Sequence, residues 1–211
     1  MIEIGDWILT ACGAAVHREC ETAVVADLHL GYAESRQQRG DAVPTRDLST
    51  TLLPIQSLMQ SLSLTRLVIA GDLFQQGPIE SILSSLESWL SQNQFTITII
   101  PGNHDRGMSR FADRFDVQSE MMLGEWHVVH GDDEIPEGLV VQGHLHPCIR
   151  WRGLSGSCFL MSEQHLILPA LAPDASGVNV IGRREWSGYR CLGLVEGELL
   201  DFGTKLFDHC Q

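Results

Sequence analysis

Residues 67–72 have the sequence Leu-Val-Ile-Ala-Gly-Asp, and this short stretch decides the fold class. A continuous apolar run of this length, ended by a glycine, is typical of a strand buried on both faces. Four other apolar runs have the same form, and each is followed within three residues by Asp, Asn or His: 23–26, 96–100, 126–129 and 139–141. The chain is therefore predicted to have an α/β fold built on buried strands.

Helical periodicity fills two of the gaps between these strands. Apolar residues recur at steps of three and four in Pro78–Leu90 and in Thr45–Leu62, which predicts two amphipathic helices. Thr45 is expected to be the N-cap of its helix. Pro54 lies inside the same stripe, where it is expected to kink the helix or split it in two. After Pro147 the pattern changes to short strands at 158–161, 165–168 and 191–195, with a hairpin turn at 196–198.

Length and composition favour one soluble globular domain. The chain has 211 residues, of which 44% are apolar and 19% charged, so a single domain over residues 1–211 is expected. No segment approaches the roughly 18 consecutive apolar residues of a membrane helix. The first residues contain neither a basic region nor an apolar core of a signal peptide, so a cytoplasmic location without membrane contact is predicted.

The net charge restricts the partners. The chain has 14 basic and 27 acidic residues, a formal charge of −13. Such a surface does not attract phosphate backbones, so general nucleic-acid binding is disfavoured. Bound divalent cations would neutralise acidic residues locally, and the formal count does not include them.

Metal-competent side chains follow all five buried strands. They fall in five short motifs: Asp-Leu-His at 27–29, Gly-Asp at 71–72, Gly-Asn-His-Asp at 102–105, His-Gly at 130–131 and Gly-His-Leu-His at 143–146. Ligands of α/β sheets bind at the carboxyl ends of the strands. The glycines allow the backbone to bend sharply and to approach an ion closely.

The donor set predicts two metal ions. Carboxylate, imidazole and amide donors together suit Mn²⁺, Fe, Zn²⁺ or Co²⁺ better than Ca²⁺ or Mg²⁺. Seven side chains, with a carboxylate that can bridge, are too many for one ion, so a pair about 3.5–4 Å apart is expected. Asp72 follows a central strand and is the natural bridging ligand.

The motifs, in this order, resemble the calcineurin-like metallophosphoesterase superfamily, whose pattern is D-x-H, G-D, G-N-H-D/E, H and G-H-x-H. The resemblance implies a four-layer α-β-β-α sandwich of two mixed sheets flanked by helices. It implies that one ion, with Mn²⁺ expected first and Fe, Zn, Co or Ni as alternatives, is held by Asp27, His29, Asp72 and His146. The second ion would be held by Asp72, Asn103, His130 and His144.

The resemblance also implies catalytic and substrate-binding residues. His104 would be the catalytic histidine, which protonates the departing oxygen or stabilises the equatorial ones. Relatives commonly have Asp or His three residues after the bridging aspartate, whereas this chain has Gln75. A neutral amide can bind substrate or hydrogen-bond to the imidazole but adds no charge, and Asp105 is expected to compensate as a second catalytic residue. Arg106 and Arg150 are candidates for phosphate contacts, the alternative being a solvated surface.

Within the superfamily the chain is most similar to the small phosphoesterases associated with bacterial DNA ligase operons, and to their archaeal relatives. The shared stretches are Ala-Asp-Leu-His-Leu-Gly at 26–31, Gly-Asn-His-Asp-Arg at 102–106, Gly-His-Leu-His-Pro at 143–147 and Leu-Pro-Ala-Leu at 168–171. This resemblance implies a phosphodiesterase, with DNA as a candidate substrate and a DNA ligase or another repair protein as a candidate partner. The oligomeric state is not indicated.

Two alternatives remain open at this stage. The chain could be a phosphomonoesterase or a nucleotide phosphodiesterase in place of a nuclease. It could also be a metal-binding scaffold that makes protein contacts without catalysis, although the presence of His104 argues against this. The charge of −13 argues against long duplex substrates unless a partner supplies a basic surface.

Overall fold

Two mixed β-sheets form the centre of the computed structural model, which describes residues 1–45, 47–172, 175 and 177–204. The predicted fold class, an α/β sandwich of two mixed sheets flanked by helices, is confirmed. Within the described residues no helix is both long enough and apolar enough to cross a membrane.

The first sheet contains seven strands, arranged in space in the same order as in the sequence. The first four are joined by antiparallel pairing, and the last four are parallel. The strands are β1 (Ile2–Ile4), β2 (Trp7–Leu9), β3 (Ala15–His17), β4 (Thr22–Val25), β5 (Arg66–Ala70), β6 (Thr96–Ile100) and β7 (Asp116–Val117). The three predicted strands of this region, now β4, β5 and β6, lie within one residue of their expected bounds.

Within the described part of the chain the second sheet contains nine strands, with β9, β10 and β13 parallel to one another. Its strands are β8 (Met121–Leu123), β9 (Trp126–Val129), β10 (Leu139–Gln142), β11 (Pro147–Trp151), β12 (Leu154–Met161), β13 (His165–Ile167), β14 (Val178–Asn179), β15 (Arg190–Val195) and β16 (Glu198–Gly203). The spatial order is β14-β11-β12-β13-β10-β9-β8, and β15 pairs with both β12 and β16. The predicted hairpin turn joins β15 to β16, since Val195 pairs with Glu198.

Three α-helices are present among the described residues: α1 (Tyr32–Gln38), α2 (Leu48–Ser61) and α3 (Glu80–Asn93). Helices α2 and α3 pack against one face of the first sheet through buried residues such as Leu52, Ile55, Leu83 and Leu86. Because α1 buries no side chain fully, no apolar stripe marked it in the sequence.

Helix α2 differs from its prediction at its start. Its N-cap is Asp47, whose Oδ1 accepts a hydrogen bond from the Thr50 backbone N–H at 2.7 Å, and not the predicted Thr45. Pro54 lies inside the helix without dividing it. An interior proline costs about 3 kcal/mol. Complete burial of Leu52 and Ile55 offsets that cost, at about 1.5–3 kcal/mol for each side chain.

One apolar layer lies between the first sheet and helices α2 and α3, and a second lies between the two sheets. Val24 and Val68 of the first sheet share it with Val141, Phe159 and Leu166 of the second, and all five are buried. The other face of the second sheet packs under the segment that contains a short 3₁₀ helix, Arg184–Trp186. The apolar packing between the two sheets holds the ends of β4, β5 and β6 against the ends of β9 and β10.

Candidate active site

The candidate metal ligands lie in turns with unusual backbone geometry. Five of the seven have positive φ angles, namely Asp27 (55°), His29 (46°), Asp72 (46°), His144 (65°) and His146 (44°). The left-handed region costs a residue other than glycine roughly 1–2 kcal/mol. Strain of this kind persists only where the surrounding structure enforces it, and it concentrates at functional sites. Here each strained turn follows a strand, and the hydrogen bonds of that strand to its neighbours fix the position at which the turn begins.

Two buried carboxylates are each anchored through one oxygen. The His144 backbone N–H donates to Asp27 Oδ2 at 2.9 Å, and the His104 backbone N–H donates to Asp72 Oδ1 at 2.9 Å. Among the described residues, the other Asp27 oxygen is buried without a hydrogen-bond partner. A buried acceptor left unsatisfied costs about 1–3 kcal/mol, and more when it is charged. Asp27 Oδ1 is therefore poised to bind a cation.

The first group of donor atoms lies around Asp27 Oδ1 and around Oδ2, the second carboxylate oxygen of Asp72. Asp27 Oδ1 lies 3.4 Å from His146 Nε2, and Asp72 Oδ2 lies 3.9 Å from His29 Nε2. The two imidazole nitrogens His29 Nε2 and His146 Nε2 are 3.3 Å apart. Donor atoms from these four residues all lie within 4.8 Å of one another.

The second group is centred on His130 and shares Asp72 with the first. His130 Nε2 lies 3.5 Å from Asp72 Oδ2, 3.2 Å from His144 Nδ1 and 3.3 Å from Asn103 Oδ1. Donor atoms from Asp72, His130 and His144 likewise all lie within 4.8 Å of one another. Asp72 Oδ2 thus faces an imidazole from each group.

The chemistry of both groups fits a divalent cation. Burial, followed by the nearby His146, lowers the pKa of His29 to about 4, so its imidazole is neutral near pH 7 and can donate a lone pair. Facing ring nitrogens and a buried carboxylate oxygen form a mixed nitrogen and oxygen set. The residues present therefore form a site for divalent metal.

Two glycines make this close approach of strands and side chains feasible. A Cβ atom at Gly71 would overlap the His130 ring. A Cβ atom at Gly102 would overlap Asp72 Oδ1 and lie 2.6 Å from His130 Nε2. Both positions accordingly require glycine, as the spacing of the motifs predicts.

His104 is held by a backbone contact. Its Nδ1 lies 2.7 Å from the carbonyl oxygen of Gln75, and its ring stands edge-on to His29 at 5.2 Å between centroids. A carbonyl only accepts, so Nδ1 carries a proton and Nε2 remains available for substrate. Gln75 therefore orients His104 through an atom that any residue at position 75 would supply.

Asp105 contacts backbone rather than the His104 ring. Its Oδ2 accepts from the N–H groups of Leu73 and Gly102, each at 3.0 Å, and its Oδ1 accepts from Phe74 at 2.8 Å. Burial raises the pKa of this carboxyl, and the three hydrogen bonds oppose that shift. Asp105 thus ties the turn after β5 to the turn after β6.

Two grooves meet at His146. One, of about 270 Å³, is lined by Tyr32, Pro44, Gln75 and His104. The other, of about 590 Å³, contains Arg150. No motif in the sequence marked Tyr32 or Pro44, because α1 and the loop after it contain no periodic signal.

The two predicted arginine contacts differ in position. Arg150 lies in the groove beside His146, whereas Arg106 is exposed in the loop after His104. Arg114, farther along, binds Glu80 and Glu87 of α3. The segment between His104 and Arg114 contains a short 3₁₀ helix, Met108–Phe111.

Comparison with known proteins agrees with this geometry. Residues 21–157 match the calcineurin-like phosphoesterase family. The chain belongs to that family. This phosphoesterase is accordingly a metal-dependent hydrolase.

A solved structure has the same fold. The crystal structure of Pseudomonas putida nuclease MPE superposes with a TM-score of 0.76 at 23% identity, over 93% of this phosphoesterase and 94% of that chain. Yfce, a phosphoesterase from E. coli, gives a TM-score of 0.42 at 13% identity, over 87% and 98% of the two chains. No curated protein sequence matches.

Proposed function

We propose that this phosphoesterase hydrolyses phosphodiester bonds with two divalent metal ions bridged by Asp72. The observation that carries the proposal is the position of Asp72 Oδ2, 3.9 Å from His29 Nε2 and 3.5 Å from His130 Nε2. The ligands of one ion are Asp27, His29, Asp72 and His146. The ligands of the other are Asp72, Asn103, His130 and His144. Mn²⁺ is the first ion to test, with Fe, Zn, Co and Ni as alternatives.

When bound, the ions would supply an acidified water as nucleophile and would neutralise charge on the phosphate oxygens. The side chains supply the rest. His104, fixed through Nδ1 by the Gln75 carbonyl, presents Nε2 to the departing oxygen and, in its imidazolium form, can donate the Nε2 proton there. Asp105 acts as a positioning residue, because its contacts hold the turns that carry Asp72 and Asn103.

DNA is the proposed diester substrate, in a repair role beside a DNA ligase or another repair protein. The fold likeness to a nuclease supports this proposal, although that activity belongs to the Pseudomonas protein. The net charge of −13 favours short or single-stranded DNA over long duplexes, since a duplex presents a denser line of negative charge.

One observation favours a nucleotide phosphodiesterase as the second candidate. The groove of about 270 Å³ beside His104 is bounded by Tyr32 and Pro44 and has room for one small leaving group. A nucleoside or an aryl group could occupy it, and a polymer would need only its terminal unit there.

The test is a panel of aryl phosphomonoesters, aryl phosphodiesters, and single- and double-stranded DNA with added Mn²⁺. We expect turnover of the diesters and of single-stranded DNA, abolished by a chelator and restored by excess Mn²⁺. Activity confined to monoesters would contradict the proposal, and no turnover of any ester would favour the scaffold alternative.

A further inference from the structure

The hairpin of β11 and β12 ends in a turn that exposes one aromatic ring and two guanidinium groups. The strands pair in antiparallel register out to Trp151 and Leu154. Trp151 is 43% exposed, and Arg152 Cζ lies 4.9 Å from its ring centroid. Arg150, one residue earlier, is exposed as well. Single exposed apolar side chains are common, so exposure alone assigns no role to this tip, defined as residues 150–154.

The tip has a positive formal charge. Among the described residues, neither Arg150 nor Arg152 forms an ion pair, whereas Arg36, Arg114 and Arg190 each bind a carboxylate. The chain has 27 acidic residues against 14 basic ones, whereas residues 150–154 contain two arginines and no acidic residue, so the tip is a basic segment of an acidic chain. Free guanidinium groups beside an aromatic face suit a ligand that offers both phosphates and flat rings.

The tip is directly connected to the catalytic centre. Strand β11 begins immediately after His146, and Arg150 and Ser155 line the groove that contains His146. Five residues of strand, at about 3.3 Å each, place the tip about 16 Å from His146. A stacked strand of nucleic acid advances about 3.4 Å per nucleotide, so this distance spans about five nucleotides, and fewer if the strand is stretched.

A groove on the His130 side of the centre has the opposite charge. Asp132, Asp133 and Glu134 follow His130 and line a separate groove. A polyanion that reaches the centre is therefore repelled on the His130 side and attracted along β11.

We propose that the tip is a contact site for single-stranded nucleic acid, several nucleotides from the scissile phosphate. Trp151 stacks on a base, and Arg150 and Arg152 pair with flanking phosphates. The inference rests on the proposed phosphodiesterase function and adds a remote subsite to it. A dinucleotide is too short to reach the tip, so the tip acts selectively on longer strands.

The experiment compares kcat/KM for a 12-nucleotide single-stranded DNA and for a dinucleotide, both with Mn²⁺. For Trp151→Ala we expect a loss on the 12-nucleotide DNA about tenfold larger than the loss on the dinucleotide, the scale of one base–aromatic stack. Trp151→Phe, which keeps an aromatic face, should recover most of that loss. Arg66→Ala is the control, since this exposed arginine begins β5, at the end of the strand far from Asp72.

The salt dependence of KM for the longer DNA tests the phosphate contact separately. Removal of one contact to a single strand should lower the slope of log KM against log salt by about 0.7 in Arg152→Ala. If Trp151→Ala folds poorly, as judged by its thermal midpoint, this slope and Trp151→Phe decide the question.

The outcomes distinguish the two levels of the proposal. Wild-type cleavage of both substrates, with equal losses in Trp151→Ala and an unchanged slope in Arg152→Ala, would overturn the subsite and leave the phosphodiesterase function intact. No wild-type turnover of either DNA or of an aryl diester would overturn both.

Discussion

The Nδ1 atom of His104 lies 2.7 Å from the Gln75 carbonyl oxygen, closer than the 3.3 Å between His130 Nδ1 and the Ala70 carbonyl oxygen. His104 belongs to neither group of converging donor atoms. We therefore expect His104→Ala to keep its metal while its kcat on an aryl diester falls by about 10²–10⁴-fold, the usual contribution of a general acid. Metal content and kcat are measured on the same preparation.

His127→Ala is the matched control for that change. His127 is a residue of β9 whose ring lies near Glu120, outside the site. Its removal should therefore leave kcat within about twofold of the wild type. Full activity in His104→Ala would contradict the assignment of the proton donor.

Asp105 illustrates a different kind of residue, one that acts through backbone. Asp105→Ala leaves three N–H groups without this acceptor, two of them buried, at about 1–3 kcal/mol for each buried unsatisfied group. We expect a loss of about 3 kcal/mol in the free energy of unfolding, measured by urea titration of the metal-free protein. Asp113→Ala, at an exposed position, should change it by less than about 0.5 kcal/mol. Equal stability of the two variants would refute the positioning role.

Among the elements, those with a strong local pattern were predictable. The runs that became β4, β5 and β10 are continuous and apolar, because both faces of each strand are largely covered. The three-residue strands β1, β2 and β3 are too short to show a period, and α1 lacks a buried face. The N-cap of α2 is Asp47 and not Thr45 because the Asp47 side chain accepts the hydrogen bond of the Thr50 N–H. A pattern of apolar residues carries no information about that hydrogen bond.

Three segments are joined through His165 on β13. Its Nε2 lies 3.0 Å from Gln142 Oε1, and its Nδ1 lies 2.9 Å from the Tyr189 hydroxyl. Burial lowers the pKa of His165 below its ordinary 6.5, so the native state favours the neutral ring. Below pH 6.5 the unfolded chain binds a proton that the native chain does not, so stability decreases as the pH falls and is restored above it.

The corresponding test is urea unfolding at several pH values between about 5 and 7.5. We expect His165→Gln to lose less stability than the wild type over this range, because the amide does not titrate. Identical pH dependence of the two proteins would show that His165 does not contribute to it.

At the scale of the whole molecule, the order of motifs predicts which residues meet but not how they meet. Sequence spacing places Asp72 after a central strand, yet only the packing of two sheets brings its Oδ2 between His29 and His130. Arg106 and Arg150 look equivalent in the sequence. The structure separates them, because β11 passes along the groove beside His146 and the loop after His104 does not.

The shared position of Asp72 makes metal stoichiometry the most direct test of the central proposal. Protein purified without chelator, loaded with Mn²⁺ and freed of excess ion, is analysed for bound metal in the wild type and in Asp72→Asn. We predict two ions per chain in the wild type and loss of both in Asp72→Asn, because the substitution removes a charge from both groups of donors. Saturation of the wild type at one ion, with Asp72→Asn binding the same amount, would contradict it.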